Sequence, residues 1–81
     1  MISAVVLINT DIGLQDKVLE SLRLVEGVEE AHALCGVYDL IVKVKANSID
    51  KLKEILKLSI KQIAGVASSL PLMLIDNPLK T

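Results

Sequence analysis

The chain has 81 residues, a net charge of −1 and 52% hydrophobic residues. With a pI near 5.7 it lacks the basic footprint that nucleic-acid binding usually needs. Its lone cysteine, Cys35, excludes an internal disulfide and a zinc site built on paired cysteines.

A chain of this length reads as one domain over residues 1–81. A domain this small buries a limited share of its surface. A mean hydropathy of +0.55 is therefore more apolar material than one small core absorbs. No apolar run approaches the roughly 20 residues of a spanning helix. The N-terminus MISAVVLINTDIG lacks the basic start and cleavage site of a signal peptide. The expectation is a soluble cytoplasmic protein that covers its excess apolar surface by oligomerising.

Residues 2–8, ISAVVLI, predict a buried strand from their length and β-branched content. In the stretch that follows, Leu14, Val18, Leu22 and Val25 recur on one helical face. Gly27 stands where a left-handed residue ends a helix. Residues 28–35, VEEAHALC, read as a second strand, and 36–39 as a tight turn. In LIVKVKA, Leu40, Val42 and Val44 point one way while Ile41, Lys43 and Lys45 point the other. Ser48 suits the N-cap of a second helix. That helix, IDKLKEILKLSIKQIA, has an apolar stripe of Ile49, Leu52, Ile55, Leu56, Ser59, Ile60 and Ile63, and stops at Gly65. The final run, VASSLPLMLI, predicts a last strand closing at Asp76, Asn77 and Pro78.

The order β-α-β-β-α-β, a short hairpin link and right-handed crossovers together predict an α+β, ferredoxin-like split βαβ fold: a four-stranded antiparallel sheet with both helices on one face. The first and third strands are then central. The last strand lies at an edge, where Pro71 is tolerated because its missing N–H faces outward. The first strand is apolar on both faces: Ile2, Ala4, Val6 and Ile8 against Val5 and Leu7. In the last strand Leu70, Leu72 and Leu74 oppose Met73 and Ile75. Strands apolar on both sides need cover on both, and a second copy packed sheet against sheet is the simplest cover.

Few residues invite chemistry. On a strand, His32 and Cys35 stand at odd spacing and cannot pair as nucleophile and base. One His and one Cys are too few for a structural metal site, and no phosphate-cradling or HExxH motif occurs. No catalytic residue, metal or cofactor is expected. Lys53, Lys57 and Lys61 form a basic stripe that reads as the solvated face of an amphipathic helix. The stretch CGVYDLIVKV places Tyr38, the only aromatic residue, between Gly36 and Asp39. Gly36 suits a backbone conformation that other residues avoid and a close ligand approach. Asp39 can accept from an ammonium group or from turn amides. A plain hairpin turn, with Asp39 bonded locally and Tyr38 packed on a neighbour, is the structural alternative.

GVYDLIVKV resembles the Gly-x-Tyr-Asp-plus-strand signature of the effector module, often called the RAM domain, of the Lrp/AsnC transcription regulators. The segments VEGVEEAHALCGVYD and IAGVASSLPLMLID extend the resemblance over nearly the whole chain. The resemblance implies an effector domain, here without its own DNA-binding helix-turn-helix, that binds a free amino acid and is not an enzyme. It implies face-to-face dimers that assemble into octamers or decamers, with effectors at contacts between dimers. Full-length Lrp/AsnC regulators are implied partners, with no direct nucleic-acid or membrane contact. Gly36, Tyr38 and Asp39 match the signature, and with Val37 at its variable position they are the implied effector-binding residues, together with Ser69. Ser69 falls where the family often has a threonine, and Pro71 where a second threonine or serine is common. The expected mechanism has backbone groups around Gly36 and the Asp39 side chain holding the ligand's charged ends, with a neighbouring dimer supplying an apolar wall. Two rivals stand beside it: a small enzyme of the dimeric α+β barrel type using His32 as base, and a ligand-free assembly module.

Overall fold

Alternation in the strands decides where the core lies. The computed structural model describes residues 2–74 and gives the elements β1 (Ile2–Thr10), α1 (Gln15–Arg23), β2 (Val28–Ala33), β3 (Leu40–Ala46), α2 (Ile49–Glu54), a π-helical segment (Ile55–Ile60) and β4 (Val66–Leu74). The strands form one antiparallel sheet in the order β2-β3-β1-β4. This is the expected ferredoxin-like split βαβ topology, with β1 and β3 central and Pro71 on an edge strand. The expected strand end at Ile75 and its close at Asp76–Pro78 lie outside the described residues.

Every second residue of the central strands is buried: Ala4, Val6 and Ile8 in β1, and Leu40, Val42, Val44 and Ala46 in β3. Val18 and Leu22 of α1 join them, as do Leu52, Ile55 and Ile60 of the second helical stretch. One cluster holds all these residues, so both helices cover the same face. α1 packs on β2 and β3, and α2 on β3 and β1. The helix-side face of β4 is left as the open side of the sandwich.

The cross-strand register writes out the other face. One row reads His32, Ile41, Leu7, Leu70, and the next Glu30, Lys43, Val5, Leu72, from β2 across to β4. The β1–β4 half is thus apolar and the β2–β3 half charged. Leu70 and Leu72 are 42% and 45% exposed.

The second helix departs from expectation. Ser48 caps it as predicted, its Oγ accepting from the Lys51 N–H at 3.1 Å. The backbone then widens into i→i+5 bonding at Ile55 and leaves the helix after Ile60. In an α-helix, residues five apart point well away from each other. A π turn brings them back toward one side, and Ile55 and Ile60, five apart, are both buried. Ser59, expected in the apolar stripe, is exposed.

Gly27 and Gly65 occupy positive φ, +98° and +100°, in the turns that lead into β2 and β4; the helical stretches already end at Arg23 and Ile60, short of the glycines at which they were expected to stop. A Cβ on Gly65 would meet Val18 Cγ2 at 2.7 Å. Gly36 is different: it does not take a positive φ, and nothing lies within 4 Å of where its Cβ would stand. The expectation that its backbone needs glycine is therefore corrected. Gly65→Ala should cost about 1–3 kcal/mol of stability, from left-handed strain and the clash together. Gly36→Ala should stay within about 0.5 kcal/mol. Urea denaturation of both variants checks the contrast.

Candidate functional site

The β2–β3 turn is fastened at both ends. The Leu34 N–H donates to the Asp39 carbonyl at 2.7 Å, and the Asp39 N–H donates to Ile8 of β1 at 2.9 Å. Asp39 also clamps the neighbouring loop. Its Oδ2 accepts from the Thr10 N–H at 2.8 Å and from the Thr10 hydroxyl at 3.1 Å. From the start of α1, Gln15 Nε2 donates to the Asp39 carbonyl at 2.9 Å and to the Leu34 carbonyl at 3.4 Å. Three elements thus meet at Asp39: the end of β1, the first turn of α1 and the entry to β3. β1 runs two residues beyond the predicted strand, and the extension includes Thr10, the residue that binds Asp39.

Between these anchors the turn is open. Gly36 and Val37 are exposed, Val37 by 86%, and Tyr38 is half-buried. Among the described residues, no hydrogen bond within the chain uses the backbone of residues 36–38. Ile12, fully exposed at 102%, stands in the loop that Thr10 and Gln15 tie to this turn. The result is a fixed rim with free backbone groups and apolar side chains turned to solvent.

Ser69 does not join this rim. It pairs with Ile8 on the helix-side face, and the other neighbour of Ile8 is Leu40. The β1 backbone therefore lies between Ser69 and the turn, two strand spacings or about 10 Å apart. Ser69 instead lines a cavity of about 250 Å³ with Val6, Lys53, Leu56, Lys57, Lys61 and Pro71.

His32 and Cys35 are also kept apart, for a reason other than strand alternation. β2 ends at Ala33, which leaves Cys35 exposed in the turn beyond it. His32 lies on the sheet face opposite the helices, its Nε2 3.0 Å from Glu30 Oε1. That hydrogen bond holds the Glu30 carboxyl below its ordinary range. Glu29, beside an irregularity in β2, pairs with Lys45 at 2.8 Å and with Lys43 at 3.8 Å. Among the described residues, no group of three His, Cys, Asp or Glu could hold a metal ion. No described helix is long and apolar enough to cross a membrane.

Comparison with known proteins follows the same lines. Residues 3–80 match the Lrp/AsnC ligand binding domain. An uncharacterized HTH-type transcriptional regulator of Pyrococcus abyssi is 31% identical over 62 residues, covering 76% of this chain and 41% of that protein. AsnC of Escherichia coli superposes with a TM-score of 0.86 at 27% identity, over 95% of this chain and 52% of its own. This chain thus spans about half the length of these relatives, or less. A transcriptional regulator of Neisseria meningitidis, solved as a complex with L-Met, shares the fold with a TM-score of 0.82 at 14% identity, over 98% of this chain and 57% of its own.

The Asp39 clamp has a measurable cost. Asp39→Ala removes a carboxylate that accepts two hydrogen bonds and should lower stability by about 1.5–3 kcal/mol, whereas Thr10→Val keeps the backbone donor and should cost about 1 kcal/mol. Urea midpoints of the two variants give the comparison.

Proposed function

Because this chain belongs to the Lrp/AsnC ligand-binding domain family, we propose that it is an amino-acid-sensing effector domain that works as an assembly of copies. A regulatory role in transcription is the family's. The finer reading concerns what binds, and where.

The observation that carries it is the open turn of residues 36–38 between the anchors at Leu34 and Asp39. Backbone groups of Gly36, Val37 and Tyr38 hold one charged end of a free amino acid. Asp39 Oδ2 is committed to Thr10, so Oδ1 accepts from the ligand's ammonium. A rim held rigid before binding loses little ordering entropy when ligand arrives. The L-Met complex of the Neisseria regulator supports the ligand class.

Ser69 reaches such a ligand only from a second chain, because β1 stands between it and the turn of its own chain. The reading therefore includes oligomers. Pairs form through the apolar half of the outer sheet face, and pairs assemble further, to octamers or decamers, around the rims bearing Ile12 and Val37. A ligand bridging chains shifts that assembly by its differential affinity for the two states. Full-length Lrp/AsnC regulators are the partners that would read the shift. Catalysis is not part of this reading, since His32, the one ordinary base near neutral pH, sits on the outer sheet face beside Glu30.

Calorimetric titration with each of the twenty amino acids tests it. Saturable binding of one or a few is expected. Tyr38→Ala should weaken that binding about tenfold, a loss near 1.4 kcal/mol, while His32→Ala leaves it unchanged. Silence across all twenty contradicts the reading.

A further inference from the structure

The cavity beside β4 has its own chemistry. Its floor is apolar, made by Val6, Leu56 and Pro71. Lys53, Lys57, Lys61 and Ser69 line the rest of it. Lys61 and Ser69 continue into an adjoining cleft lined by Val66, Ala67 and Ser68. Among the described residues, no carboxylate lines either space.

The lysines share one cavity because of the backbone that carries them. Along an α-helix, side chains four residues apart drift forward around the axis. Along a π segment, with its wider turn, they drift back. Lys53 to Lys57 begins in α2, Lys57 to Lys61 runs through the π segment and its end, and the two drifts oppose each other. The other side of the wall is the helix-side face of β4, on which neither helix packs closely.

Neighbouring cations have carboxylate partners, and among the described residues these do not. Lys51 pairs with Glu54, and Lys43 and Lys45 with Glu29. Among the described residues, no carboxylate stands within ion-pair distance of Lys53, Lys57 or Lys61. Three like charges around a half-enclosed apolar floor have no counter-charge among the described residues, and an anion supplies it. An ammonium group would meet the repulsion of the three lysines and, among the described residues, no carboxylate to offset it.

The geometry points to a second ligand site between the π segment and β4, taking a small organic carboxylate with an apolar body and no ammonium group. The carboxylate meets the lysines and Ser69, and the hydrocarbon rests on Val6, Leu56 and Pro71. Pro71 contributes an apolar surface and no donor. The site is selective for deaminated or 2-oxo analogues over the amino acids themselves. It does not rest on the turn of residues 36–39.

Isocaproate and L-leucine differ only by the ammonium group and serve as probes of the full chain. Binding is followed by amide chemical shifts. Isocaproate is expected to shift the amides of residues 53–61 and 66–72. L-leucine and inorganic phosphate should each bind there at least about tenfold more weakly. Lys57→Gln/Lys61→Gln, two exposed replacements that leave the fold intact, should weaken isocaproate about tenfold. Lys51→Gln and Tyr38→Ala should leave its affinity unchanged, the latter separating this site from the turn. No shift with isocaproate, equal affinity for L-leucine or phosphate, or full affinity in Lys57→Gln/Lys61→Gln would each overturn the proposal.

Discussion

The fold rests on a mismatch between two layers. Both helices lie on one face of the sheet, yet β1 carries apolar residues on both. Ala4, Val6 and Ile8 are buried under the helices, and Val5 and Leu7 face the other way beside Leu70 and Leu72. Burial of apolar surface yields about 25 cal/mol per Å² removed from water, so the uncovered half of the sheet is a standing drive toward association. The charged half moderates it. There Glu29 neutralises Lys43 and Lys45, and Glu30 meets His32. A copy packed on this face has a hydrophobic centre and a partly satisfied rim, the usual anatomy of an interface.

The same layering places the turn of residues 36–39 and the cavity beside β4. The helices settle over β1, β2 and β3, so β4 is paired along one edge and left open toward the helix side. The lysine-lined cavity occupies that opening. The turn of residues 36–39 lies on the opposite side of β1, at the end of the central hairpin, where Thr10 and Gln15 fasten it. Side chains projecting from these two regions belong to different surfaces of one chain.

Much of this was legible in the sequence. The period of two in β3 gave the inward row Leu40, Val42 and Val44 directly. The β-α-β-β-α-β order with right-handed crossovers put β1 and β3 at the centre and β4 at the edge, where Pro71 fits. Gly27 and Gly65 marked left-handed turns, as their φ values show, but these turns lead into β2 and β4 and the helices end four or five residues before them. Less visible were features that depend on distant partners. Asp39 reads as a ligand acid or a local turn cap, but its hydrogen-bond partner is Thr10, 29 residues away. No local pattern announces that pairing. The π segment hides in an apolar stripe that α-helical spacing also accommodates, and only the joint burial of Ile55 and Ile60 betrays it. The lysine stripe read as a solvated face, and Lys53, Lys57 and Lys61 are exposed; helical periodicity says nothing of the cavity they also line. Gly36 suggested special backbone geometry from its position in a signature, and its actual φ is ordinary.

The central claim is that the uncovered half of the sheet is an interface between copies. Sedimentation velocity of the chain at micromolar concentration, beside Leu70→Lys, tests it most directly. The account predicts a dimer or larger species for the unaltered chain and a folded, smaller species for the variant, whose charge falls on the outer face of an edge strand. A well-folded monomer of the unaltered chain across that concentration range would contradict it.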